Sequence, residues 1–297
     1  MKVGFKVKHQ DHAYVERRGG FELLTYMRAA DGRATYRRAA LDRAMAGVDV
    51  RIGLQAQAAG LVVLQRALLC AEDLGRLFHA LAGPDAWQRL RSAQLPAIDD
   101  AYGAAVADSG AVRRAAFCLP TPEQLAEEGM GMEDRAAFGR LCGLVDARRA
   151  RMMETAARLW LDHARVAKAT MHGLPVLAGE HVTGPPGAGD LAASVPAAVR
   201  HGNVPYVAVL ATSERDRHVN TEVRVLRMDR TAIAGWHRSG KVAARLYADL
   251  CEVQAGSIMA GCAAMVPTTL TDRLVASDQA RIERLAAEHR EDGGAAL

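Results

Sequence analysis

Aromatic residues are scarce in this chain, lysines scarcer, and no long apolar run goes unbroken. Phe, Trp and Tyr make up 5% of 297 residues, while Ala, Leu and Val abound. A core must then be filled by small and aliphatic side chains, which suits helices packed at short distance. The most apolar stretch, residues 58 to 71, is cut by Gln65 and Arg66 before it reaches the ~20 residues that span a bilayer. The N-terminal MKVGFKVKHQDHAYVERR carries charge where a secretory leader needs its apolar segment. No membrane span and no targeting segment are expected, and the location expected is cytoplasmic.

The usual catalytic signatures are missing as well. No Ser lies in a G-x-S-x-G turn, H-E-x-x-H does not occur, and no Glu has a His three residues on. The five cysteines, at 70, 118, 142, 251 and 262, form no C-x-x-C pair and are mostly flanked by apolar residues. They read as reduced core thiols. His9, Asp11, His12 and Glu16 are the one close set of metal-ligand types, and their polar N-terminal setting reads as a solvated face. No metal and no cofactor are expected.

Two glycine-rich stretches approach the phosphate loop G-x-x-x-x-G-K-[ST] and fail it on chemistry. GPPGAGDL, 184 to 191, has Asp190 in place of the lysine, and its charge would repel a phosphate. GWHRSGKV, 235 to 242, has Lys241 but Val242 in place of the metal-binding hydroxyl, and no strand precedes it.

What the chain does contain is helical period. Residues 21 to 47 read as two short helices broken at DGRAT. Asp49 is the expected cap of a long helix to about 81, apolar nearly all round and ended by Gly83 and Pro84. Further helix is expected over 85 to 119, with breaks at Pro96 and near Gly110, and a short one opens at Thr121 and Pro122. A second long helix is expected from 133 to about 171. The Gly- and Pro-rich residues 175 to 204 form a loop or joint. Beyond it, VPYVAVLATS and HVNTEVRVLRM read as a hairpin, Asp229 or Thr231 opens a helix through 264, and Thr271 caps a last one. The fold class expected is mainly α: a helical bundle around two long central helices, with a small β-hairpin in the C-terminal third. The bundle takes residues 1 to 174, and 205 to 297 pack on it as a hairpin plus two helices, the whole being either divided in this way or one domain.

Net charge is +4, and the basic residues are spread among acids. The nearest thing to a basic stripe interleaved with aromatics is AYVERRGGFELLTYMRAADGRATYRR, residues 13 to 38. The first long helix poses a sharper question. Gln65, Glu72, Arg76 and His79 share one face of an otherwise apolar run. If that face is buried, its charges need partners, and the second long helix offers Arg158, Asp162, His163, Arg165 and Lys168. If it faces water, it is a wet seam on a core helix.

ALLCAEDLGRLFHAL resembles the A-x-E-E-[LI]-G-K helix of HEPN-like proteins of the abortive-infection type, with Glu72-Asp73-Leu74-Gly75-Arg76 at the motif. RLWLDHARVAKATMHGLPVL resembles the helix that ends in Lys-His-Gly in related families, here stretched from Lys168 to His172-Gly173. The resemblance implies a helical bundle of a bacterial defence or toxin system, a homodimer, and a metal-independent ribonuclease whose R-x4-6-H motif supplies catalytic Arg and His. Arg158 to His163 and Arg165 to His172 fit that spacing, with Glu72, Arg76 and His79 in support. The same spacing recurs at Arg230 to His237 and Arg284 to His289. The alternatives are a non-catalytic dimeric binding or scaffold protein, and a small-molecule enzyme with a pocket beside the Gly/Pro loop.

Overall fold

A computed structural model describes residues 23–51, 53–82, 86–107, 110–127, 131–171, 176–179, 206–215 and 218–263. Mainly α is the architecture. Residues 23–28 are helical, and after a turn at Ala29 follow α1 (Ala30–Asp49), α2 (Gly53–Leu81), α3 (Ala86–Ser92), α4 (Leu95–Val106), α5 (Ala111–Ala116), α6 (Pro122–Glu127) and α7 (Met132–Met171). Then come strands β1 (Val176–Gly179), β2 (Tyr206–Arg215) and β3 (His218–Arg227), and helix α8 (Arg230–Ala263). None of the described helices is long and apolar enough to cross a membrane.

The two long helices expected from apolar period lie where the period put them, and α8 joins them as a third. DGRAT, however, does not break a helix. Asp31 falls in the first turn of α1, where a carboxylate favours the N-terminal dipole, so the break belongs at Ala29. Asp49 likewise ends α1 instead of capping α2.

α8 has the cap that the sequence suggests. The Asp229 carboxylate accepts the backbone N–H of Ala232 at 3.0 Å and pairs with Arg227. That backbone hydrogen bond, with Arg227 beside it, holds the carboxyl below its usual range against the opposing effect of burial.

β1, β2 and β3 form one antiparallel sheet in that order, with Val176 opposite Val209, Tyr206 opposite Arg227 and Arg215 opposite His218. The hairpin is the one its alternating pattern predicts. β1 falls inside the expected Gly/Pro joint, of which residues 180–204 lie outside the described ones.

The described residues group into two compact units. Residues 23–31, 75–151 and 247–263 form the first; Gly32–Leu74 and Met152–Leu246 form the second. In the first unit Phe78, Ile98, Tyr102 and Phe117 are fully buried, and the Phe78 and Phe117 rings meet at 6.1 Å. Arg113 is also buried there. It bonds Asp146 at 2.8 Å and the Ala105 carbonyl, and lies over Gly110, whose φ of 60° and crowded α-carbon suit glycine alone. Arg149, 3% exposed, rests its guanidinium 4.1 Å from the Phe117 ring centre.

In the second unit small residues let α8 approach α2 closely. A β-carbon on Gly240 would stand 2.7 Å from the Ala67 α-carbon, and one on Gly60 would meet Ile233 and Met228 at 2.7 Å. This close approach fixes which faces of α8 turn to its neighbours.

Candidate functional site

On α7, Arg158 and His163 are five positions apart, which sets them about 140° apart around a helix. The structure turns them accordingly. Arg158 points to solvent, with 74% of its side chain exposed, and pairs with Glu154 one turn back. His163 points inward to α8. Its Nε2 accepts the indole N–H of Trp236 at 3.2 Å, the two rings meet edge to face at 5.6 Å, and its Nδ1 is buried. An Nε2 that accepts leaves the ring proton on Nδ1 in a neutral imidazole.

Arg165 is exposed on the same outer face as Arg158. His172 lies outside the described residues, as do His9, Asp11, His12 and Glu16, the GPPGAGDL stretch and the expected last helix.

The stripe on α2 is a half-buried seam: Gln65, Glu72, Asp73, Arg76 and His79 are neither fully buried nor exposed. Asp73 and His79 take partners from helices other than α7. Arg37 of α1 forks onto Asp73, at 2.9 and 3.4 Å. Arg89 of α3 donates twice to the carbonyl of His79, at 2.8 and 3.1 Å, and stands 3.4 Å from the ring Nδ1. It thereby satisfies a carbonyl in the last turn of α2 that has no partner within the helix. Burial and the Arg89 charge push the His79 imidazole below its usual basicity, with Asp100 pulling the other way.

A second constellation joins α1 to α8. His237 Nε2 lies 2.7 Å from Asp42 Oδ1, Lys241 Nζ reaches the same oxygen at 3.2 Å, and Arg230 pairs with Asp49 at 3.0 Å. Burial works to raise the Asp42 carboxyl, but the hydrogen bonds from His237 and Lys241 outweigh it and hold the group below its usual range. Asp42 and Asp49 are seven residues apart, as are Arg230 and His237, so two rungs stand about 10.5 Å apart on antiparallel helices. Sequence reading met Arg230 and His237 as one more Arg-x6-His spacing, and put His237 and Lys241 on the exposed or interfacial side of this helix. The matching heptad of acids on α1 was the available signal.

GWHRSGKV runs unbroken through α8 and forms no phosphate loop; Gly240 packs against Ala67, while Gly235 faces open space. Among the described residues no group of three or more His, Cys, Asp or Glu could hold a metal ion. No protein-family model, curated protein or solved structure matches the chain.

Proposed function

We propose that the chain is a non-catalytic binding or scaffold protein built on a helical bundle. The observation that carries this reading is the closure of His163. A general base or acid must bring a ring nitrogen within hydrogen-bond reach of the proton it moves. One nitrogen of His163 is held by the Trp236 indole and the other is buried, while Arg158 points away to solvent. Arg158 and His163 are therefore turned apart, with only His163 built into the packing.

The test is incubation of purified protein with RNA in chelator. The expected result is intact RNA. Cleavage that disappears in His163→Ala overturns the reading, and light scattering tests the homodimer that the HEPN-like resemblance implies.

A second reading, a metal-independent ribonuclease of a bacterial defence or toxin system, is favoured by Arg165. It is exposed near the end of α7, and the HEPN-like resemblance pairs it with His172, which lies outside the described residues. Cleavage in chelator that is lost in His172→Ala but kept in His163→Ala selects this reading.

A further inference from the structure

β1, β2 and β3 stand in that order, so among the described residues β3 is an edge strand. It runs from His218 to Arg227 without the Pro or Lys by which proteins commonly blunt an edge. Its ladder to β2 is continuous from Arg215 opposite His218 to Tyr206 opposite Arg227, with no bulge to twist the edge away. In such a ladder alternate residues turn their N–H and C=O groups to the partner strand. The residues between them turn theirs to the outer edge, a ready template for a further strand.

Charge points to the strand that this template takes. Glu222 is level with Ala211 of β2, and Arg224 with Val209, so β2 offers no opposite charge directly across from either. The two share a face of the strand, one on each side of Val223. A strand of this pattern is complementary to itself. Turned antiparallel about Val223, each copy sets Glu222 against the other's Arg224, Thr221 against Val225, and Val223 against Val223. Opposite charges and β-branched pairs at directly opposed positions both favour pairing. Moving the centre by one residue either way sets Glu222 against Glu222 or Arg224 against Arg224, which disfavours it.

We infer that the outer edge of β3 pairs antiparallel with the same edge of a second copy, in the register centred on Val223. The contact is isologous, so it closes at two copies and joins two three-stranded sheets into one. Main-chain hydrogen bonds supply the attraction, and the two Glu222–Arg224 rungs fix the register. The inference rests on the scaffold reading and deepens it by naming where two copies meet. The two fail separately: RNA cleavage overturns the first, and association that ignores β3 overturns the second.

The experiment is light scattering of the full chain on a sizing column at increasing concentration, for wild type, Glu222→Arg, Arg224→Glu and the double variant Glu222→Arg/Arg224→Glu. A dimer is expected for wild type. Each single reversal puts like charges on both rungs and should weaken association about tenfold or more. The double variant restores opposite charges and should recover the dimer, which substitutions that merely damaged the fold would not do. Glu214→Arg, on β2, should leave association unchanged. The inference is overturned by a monomeric wild type, which leaves the edge to another partner, by a dimer that tolerates the single reversals, or by a double variant that stays monomeric.

Discussion

The indole N–H of Trp236 points at Nε2 of His163 from 3.2 Å, and the ring edge of one meets the face of the other. A neutral histidine is thereby built into the contact between α7 and α8. A protonated imidazole has no lone pair to accept that N–H, so the pair works as structure only while the ring is neutral.

Trp236→Phe keeps an aromatic ring at the contact and removes the one donor. The loss is expected to cost about 1 kcal/mol, the net worth of a hydrogen bond together with a poorly satisfied acceptor. Urea denaturation of wild type and variant measures it. An unchanged midpoint would show that the hydrogen bond contributes nothing to stability.

Two glycines of α8 should respond to alanine with opposite sign. Gly235 has open space where a β-carbon would go, so Gly235→Ala gains helix propensity and should stabilise by about 0.5–1 kcal/mol. At Gly240 the new methyl would stand 2.7 Å from the Ala67 α-carbon. Backbone cannot swing aside as a side chain can, so Gly240→Ala should destabilise by about 1–3 kcal/mol. Denaturation midpoints of the two variants, measured side by side, decide the matter.

Acid should weaken the fold in two separate windows. Folding lowers the basicity of His79, so the unfolded chain takes up the proton first, and stability falls as pH drops below the usual histidine value of about 6.5. Folding also depresses the Asp42 carboxyl, whose contribution is present above the usual value of about 3.9 and is lost as pH falls below it. Unfolding free energies from pH 8 to pH 3 should show the upper window shrink in His79→Gln and the lower one shrink in Asp42→Asn. A profile identical in all three proteins would refute both assignments.

Legibility in the sequence followed the range of the interaction. α2 and α7 were readable because Leu68, Leu74 and Leu77, or Met153, Ala157 and Trp160, repeat at helical period, and period is a local property. Asp229 was readable as a cap because a cap reaches only three residues ahead. DGRAT misled because Asp and Gly favour both turns and helix starts, and only packing chose the second. β1 was hidden because four residues, VLAG, carry too little alternation to register without a partner strand.

The site was less legible for the same reason. Residue types on α2 announced a polar seam, but the partners of Asp73 and His79, Arg37 and Arg89, sit on helices whose placement no spacing reveals. Nothing in the sequence aims Trp236 at His163. The rungs from Asp42 to His237 and from Asp49 to Arg230 were visible as two heptads and could have been matched, although neither heptad says which helix it faces.

Cys118 departs from the expectation of core thiols, and the cause is backbone geometry. α5 ends in a double hydrogen bond, Cys118 N–H to the Ala115 carbonyl and Leu119 N–H to that of Arg114, each at 3.0 Å. This closure demands a left-handed residue at Cys118, whose φ is 49°, and turns its side chain outward. Cys70, Cys142 and Cys251 are buried. Burial, with Asp73 nearby, pushes the Cys70 thiol up to about 12, and burial raises Cys142 against the pull of Arg114 and Arg149. Brief alkylation of the native protein followed by peptide mapping should therefore label Cys118 and spare those three. Glycine is the residue that position favours, so Cys118→Gly should abolish that label and raise stability by about 1 kcal/mol. A lower denaturation midpoint in Cys118→Gly would mean that the contact of Gln254 with the sulfur outweighs the relief of backbone strain.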